Sequence, residues 1–564
     1  MDDETCNDAL DRNDTHTHEY YREKILDKLE DLGNGSRWLW MTFMLCITPS
    51  ILNGFHTSSY VFLGQMPDDY WCVIPELQNM NWTVTEMRSI SRMNSISKCD
   101  IFNWNYKLFG NMSYNEASEY VVAMHKPEVI RCGKNHDSYF AYDQKPGTSI
   151  VSEWDLVCDK LIYRTNVQMA LSVGKFIGSS VLGIVADRWG RKFAFNISAI
   201  IYMIAGPLSF LTPWYWIFFF SRFLLGAAGS GVYNSAYTIL TEAVAKKHRS
   251  WTSVVYSISY PVGTLILALL AYFQREWRNL QMCLTLPAFL LLINIIYLDE
   301  SPRWLVNKNH LEKAFKIVFK RSNEQLKSIR DQEISFNSKE QFTSQSKSMK
   351  DRLKVAFHEI TILYGTPNMR NKLLVCQFAW FVSSFSYYVI ALNADNLSAN
   401  RYIYIAMVGL FEIPSCIVPI AIMRFFGRRY TSLILFYSAG MSLLALFLIP
   451  TDEKSVITFT AMFGRFCIGA VFIVVILHTA ELFPTEVRNS SIGTSSTMAH
   501  VGSISAPYVV DFLGTLAWFI PTTICAVAAI SAGTLVMLLP ETKNKELHDQ
   551  VDENDEKNCD AAQS

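Results

Sequence analysis

Charge is scarce in this chain. Of its 564 residues, Asp, Glu, Lys and Arg make up 18%, where soluble domains carry about a quarter. The formal net charge is −1, which argues against the basic face of a nucleic-acid binder. No G-x-x-x-x-G-K-[ST] loop is present, which argues against an ATP-driven motor. No H-E-x-x-H, no paired C-x-x-C and no nucleophile–base constellation emerges. The chain therefore reads as no enzyme, with no metal site and no cofactor. Coupling to Na+, H+ or the membrane potential stays open. The stretch up to Arg37 is polar and has no apolar signal-peptide core, so the first hydrophobic segment is expected to be a retained span.

Apolar residues are abundant, at 50% hydrophobic and 13% aromatic. A membrane span needs roughly 20 apolar residues. Twelve segments qualify: 38–60, 165–186, 193–212, 214–240, 252–273, 280–298, 372–392, 401–423, 431–450, 456–479, 492–514 and 518–539. The expectation is an all-α membrane protein in a lipid bilayer. Its short loops are asymmetric in Lys and Arg, and the basic side faces the cytoplasm. One side collects Arg188, Arg191, Lys192, Lys246, Lys247, Arg249, Arg424, Arg428, Arg429 and Arg488. The other has Arg275, Arg278, Arg401 and Lys454. Both termini are thus expected in the cytoplasm.

The parts divide as follows. A tail covers 1–37, a six-helix bundle 38–305, a cytoplasmic central loop 306–371, a second six-helix bundle 372–540 and an acidic tail 541–564. The first bundle includes a long outer loop, 64–161, with Cys72, Cys99, Cys132 and Cys158. Four cysteines in an oxidising compartment indicate two disulfides, with three possible pairings. The same loop holds glycosylation sequons at Asn81 and Asn111, whereas those at Asn13 and Asn34 fall on the cytoplasmic side and should be silent. The central loop is rich in Lys, Ser and Gln and reads as short amphipathic helices around a flexible stretch.

The halves echo each other. "SRFLLGA" (221–227) recurs as "GRFCIGA" (464–470), and "WGRK" (189–192) as "FGRR" (426–429). Glu242 stands seven residues before Arg249, as Glu481 does before Arg488. Two similar six-span halves are the signature of a transporter that binds its cargo between two bundles.

"GIVADRWGRK" (183–192) reads as G-x-x-x-D-R-x-G-R-K and resembles the loop 2–3 signature of the major facilitator superfamily. The resemblance implies a conformational latch built from Gly183, Asp187, Arg188, Gly190, Arg191 and Lys192, with Glu242, Arg249, Glu481 and Arg488. Asp187 can cap a neighbouring helix or pair with an arginine. The second copy has Arg424 where Asp187 stands in the first, so its latch is expected to be weaker. "SEWDLVC" (152–158), "DESPRWL" (299–305), "WFVSSFSYY" (380–388), "GLFEIP" (409–414) and "LPETKN" (539–544), with the cysteine-bearing loop, resemble the organic cation, anion and zwitterion transporter family of that superfamily. One departure is Asp299, where the family usually has proline. The resemblance implies the major facilitator fold, two pseudo-symmetric six-helix bundles, and alternating access at the plasma membrane.

Charged residues within spans default to functional candidates. Glu412 and Arg465 are expected to neutralise each other, with substrate contact by Glu412 as the alternative. Arg222 is read as architectural. In the family's cation carriers, positions matching Trp380, Tyr387, Phe472 and Tyr233 line the substrate site, and aromatic faces attract ammonium groups. Tyr388 is a further candidate for the wall of the cavity. Lys175 either holds a substrate carboxylate or pairs with an acid such as Asp511. His500 matches a position where cation carriers tend to have Asp and anion or carnitine carriers often have Arg. The expected partner is a small organic cation or zwitterion, such as an amine, carnitine or β-alanine, with an organic anion as the runner-up. A receptor or scaffold is the alternative outside transport.

Overall fold

The computed structural model describes residues 20, 22–78, 82–92, 97–124, 128–133, 138–143, 147–321 and 358–543. Asn81, both outer ends of the chain and most of the central loop lie outside the described residues.

Each of the twelve apolar segments is helical. In lipid a backbone must satisfy its own hydrogen bonds, and a helix does so within one segment. The helices are α1 (Arg37–Ser58), α2 (Leu161–Trp189), α3 (Arg191–Leu211), α4 (Tyr215–Ala243) and α5 (Arg249–Phe273). A sixth, α6 (Trp277–Thr285), continues through a 3₁₀ turn, Leu286–Leu290, into Leu291–Tyr297. After the central loop come α7 (Pro367–Leu392), α8 (Arg401–Ala445), α9 (Lys454–Leu482), α10 (Thr485–Tyr508) and α11 (Ile520–Val536).

By length and composition alone, nine helices among the described residues are fit to cross a membrane. Three features reconcile that with twelve segments. The 45 residues of α8 break at Gly427, where φ is 78° and ψ −175°, so α8 contains two spans. α11 is apolar but only 17 residues long. α10 is diluted by hydroxyls, in the run Gly493-Thr-Ser-Ser-Thr.

The chain divides into two compact units. The first comprises Met1–Ser59, Gln168–Leu270 and Met282–Ser564. Here α7 packs on α9, α10 and α11, α8 packs on α9 and α11, and α4 packs on α3 and α1. Small residues allow this close approach: a Cβ on Gly226 would meet the backbone of Leu171, and one on Gly502 that of Phe381 and Phe385. Residues 22–32 are helical as well. Their Ile25, Leu29 and Leu32 are buried with Trp304, Leu305, Leu311, Phe315 and Phe319, which belong to the central-loop helices Pro302–Asn307 and Leu311–Arg321.

The second unit comprises Tyr60–Val167 and Ala271–Gln281. Its strands β1 (Tyr70–Val73), β2 (Asp100–Phe102), β3 (Val129–Arg131) and β4 (Tyr139–Tyr142) form two antiparallel pairs, β1–β4 and β2–β3. Of the three possible pairings, the disulfides are Cys72–Cys132 and Cys99–Cys158. The "SEWDLVC" motif is explained here. Glu153 accepts hydrogen bonds from Trp277 Nε1 at 2.8 Å and from Arg278, and Asp155 accepts one from the Tyr142 hydroxyl at 2.8 Å. The hydroxyl residue of each sequon begins a helix. Thr83 N donates to Glu86 Oε2 at 2.7 Å and Ser113 N to Glu116 Oε2 at 2.8 Å, as in a capping box.

Candidate functional site

The interior groups lie on eight helices, α1, α2, α4, α5, α7, α8, α9 and α10. On α7, α8 and α9, Arg465 Nη2 lies 3.1 Å from Glu412 Oε2, and the Tyr387 hydroxyl donates to Glu412 Oε1 at 2.5 Å. Arg465 Nη1 donates to the Tyr387 carbonyl at 2.7 Å, and the guanidinium sits 3.9 Å from the Tyr387 ring centroid. Both Glu412 oxygens are therefore engaged, and the Tyr387 face expected to receive an ammonium is covered by Arg465. The physical reason is local. A guanidinium that is 3% exposed takes the nearest carboxylate and the nearest ring.

Trp380 is engaged as well. It is 5% exposed, and its Nε1 donates to Thr479 Oγ1 at 3.0 Å. Phe472 meets it edge to face, with centroids 5.5 Å apart. Tyr233 on α4 packs against Tyr256, at 5.2 Å. Tyr233, Tyr388 and Tyr260 lie near enough to Glu412 to feel its charge.

Lys175 on α2 donates to Thr57 Oγ1 on α1 at 2.5 Å, so its partner is a hydroxyl and not Asp511. Asp511 is buried in the π-helical turn Val509–Leu513. Arg222, fully buried on α4, donates to Ser59 Oγ at 3.2 Å and to the His56 carbonyl at 3.4 Å. His500 on α10 packs against Phe176 on α2, with ring centroids 5.2 Å apart.

Sequence reasoning passed over His56, Thr57, Phe176 and Tyr260. The first two stand in "FHTSSY" at the end of α1, a polar run inside a span, which was a usable signal. Tyr260 had none. It precedes Pro261 in an ordinary apolar helix, yet it lies near Thr57 and Glu412.

The residues expected to form a latch gather at one end of α2 and α4. Arg191 pairs with Asp187 at 3.0 Å and with Glu242 at 3.4 Å. Asp187 is the arginine's partner; the cap of α3 is Glu300. That carboxylate accepts from Arg191 N at 3.0 Å, Lys192 N at 3.1 Å and Ser301 N at 2.9 Å. Burial pushes Glu300 above the usual carboxylate range, against those backbone donors. Gly190, at φ 119°, leaves the cap room that a side chain would fill. Arg188 stacks on Trp189 at 5.0 Å. On the far side, Trp304 Nε1 donates to the Asp187 carbonyl at 3.2 Å, and Arg303 bridges the Glu242 carbonyl and Glu30. Asp299 accepts from Trp38 Nε1 at 3.1 Å, a role for the residue that departs from the family pattern.

The second copy follows the same plan. Arg428 pairs with Glu481 at 2.9 Å, and Glu541 accepts from Arg428 N at 2.9 Å, Arg429 N at 3.0 Å and Thr542 N at 3.0 Å. Burial works to raise the Glu541 pKa, but these donors outweigh it and hold it below the usual range. Expected to be weaker, this copy lacks the Asp187-type pair yet keeps the cap and the Arg–Glu pair. Arg249 and Arg488 form no ion pair among the described residues. Arg488 Nε donates instead to the Phe483 carbonyl at 3.3 Å. The capping glutamates were legible in retrospect: "ESP" and "ETK" each follow the last span of a half.

Comparison with known proteins gives a consistent result. The pattern of the family described as sugar (and other) transporter matches residues 93–553. The organic cation transporter protein of Drosophila melanogaster is 31% identical over 544 residues, covering 94% of each chain. Organic anion transporter 3 of Sus scrofa is 31% identical over 410 residues, 72% of this chain and 74% of that one. Among solved structures, the D-xylose–proton symporter aligns with a TM-score of 0.55 at 15% identity, covering 90% of this chain and all of that one.

Proposed function

The chain belongs to the major facilitator superfamily and, within it, to the organic cation, anion and zwitterion transporter family, and from that membership we propose that it moves a small zwitterion or organic cation across the plasma membrane. Alternating access of the two bundles carries the cargo, and both termini are cytoplasmic. Supporting the zwitterion is the position of Tyr260. It lies near Thr57, which accepts from Lys175, and near Glu412 and Tyr388. A cationic pole and an acidic, aromatic pole thus flank one tyrosine. An amino-acid-like molecule such as β-alanine or carnitine presents the matching charges. His500, Trp380, Tyr387, Phe472 and Tyr233 complete the proposed surroundings, and the capped arginine networks act as the latch.

One observation favours the second reading, an organic anion. Both Glu412 oxygens are engaged, which leaves less acidic surface for an amine. Tracer uptake in cells expressing the chain separates the readings. Carnitine or β-alanine is expected to enter, and tetraethylammonium to enter more slowly. Uptake of glutarate alone would replace the proposal with the anion reading.

A further inference from the structure

Lys175 and Arg222 have no carboxylate partner among the described residues. Each donates only to neutral oxygens: Lys175 to Thr57 Oγ1, and Arg222 to Ser59 Oγ and the His56 carbonyl. Two cations inside spans without an acid are costly. Arg465, paired with Glu412, shows how the same chain neutralises a buried guanidinium elsewhere.

A second observation points the same way. His56 is 2% exposed and stands edge-on to Tyr202, and neither of its ring nitrogens has a hydrogen-bond partner. Arg222 Nε is likewise buried and unpartnered. Buried polar groups are nearly always paired, and the exceptions need a cause. The Lys175 ammonium has three N–H donors, and Thr57 takes one of them. Lys175 is also only partly buried, unlike Arg222.

We propose that Lys175, Thr57 and His56, backed by Arg222, form an anion subsite that takes the carboxylate of the transported molecule. The subsite rests on the transport reading above and sharpens it, because it makes a carboxylate a requirement for tight binding. Lys175 and Thr57 contact the carboxylate, and the Arg222 charge behind His56 keeps the local potential positive. His500, near enough to Lys175 to feel its charge, lies beside this pole.

The test uses the purified full-length protein and acetate as the probe, with its neutral isostere acetamide and with chloride at constant ionic strength. Acetate is expected to raise Tm saturably, acetamide not at all and chloride less than acetate. In Lys175→Gln the acetate midpoint should rise about tenfold, the worth of one charge-assisted hydrogen bond, while Lys175→Arg retains the response. Lys175→Gln should also raise the ligand-free Tm, because an uncompensated charge is gone. An acetate response that is absent, unchanged in Lys175→Gln or matched by chloride overturns the assignment. So does a lowered ligand-free Tm with the response intact. The two proposals fail separately. Acetate binding through Lys175 without tracer uptake leaves the subsite standing and removes the transport reading. Uptake of β-alanine without an acetate response does the reverse.

Discussion

At the scale of the residue, the decisive fact is where each interior charge finds its counterpart. Glu412 and Arg465 satisfy each other 53 residues apart in sequence, and Tyr387 contributes a hydroxyl to one and a ring to the other. Glu412→Gln leaves Arg465 buried and uncompensated, so a loss of about 3–5 kcal/mol is expected. Adding Arg465→Met should recover most of it, as read by thermal unfolding in detergent. A double variant no more stable than Glu412→Gln alone would show that the pair is not the source of the loss. The capping carboxylates differ in sign. Glu300 is raised by burial, so between the ordinary carboxylate pKa and its own the folded state holds a proton that the unfolded chain has released. Stability therefore falls as pH rises through that window. Glu541 is lowered, so its contribution is present above the ordinary value and fades as pH falls through its own. Glu300→Gln is expected to flatten the first slope in a series of Tm against pH and leave the acid-side loss in place.

At the scale of the element, the helices are long because the bilayer demands it, and α2 and the first span of α8 end at a glycine. Gly190 and Gly427, at φ 119° and 78°, adopt backbone that is almost confined to glycine, and each turn leads into a helix start capped by a distant glutamate. A Cβ on Gly427 would stand 2.6 Å from Glu541 Oε2. Gly427→Ala should cost about 1–3 kcal/mol from the backbone alone, with further loss from the displaced cap. Proteolysis at the α8 break should accelerate in parallel. An unchanged Tm would mean that the turn relaxes freely. The elements of the second unit rest instead on Cys72–Cys132, Cys99–Cys158 and a cluster around Ile101, Phe102, Trp104 and Phe109.

At the scale of the whole molecule, the proposal places selectivity where the two halves of the chain meet. His500 and Phe176 come from opposite halves and meet at a tilt with ring centroids 5.2 Å apart, and Lys175 is the neighbour of Phe176 in the chain. A fixed charge at 500 would act directly on that junction. His500→Asp is expected to shift uptake toward tetraethylammonium, and His500→Arg toward glutarate, in tracer competition at matched surface expression. If neither substitution moves the profile, His500 serves packing alone.

The number and placement of the spans and the repeat were legible in the one-dimensional pattern. Lipid allows no unsatisfied backbone, so roughly 20 apolar residues in a row announce a helix. The pairings were not legible, because periodicity carries no information about a partner on another helix. Tertiary structure decided that Glu412 is spent on Arg465 and Tyr387. It decided that Lys175 meets Thr57 and not Asp511, and that Glu300, 109 residues from Arg191, caps α3. The physical reason is the same in each case. A buried polar group takes whichever partner the packing of helices brings within about 3 Å, and sequence distance has no part in that choice.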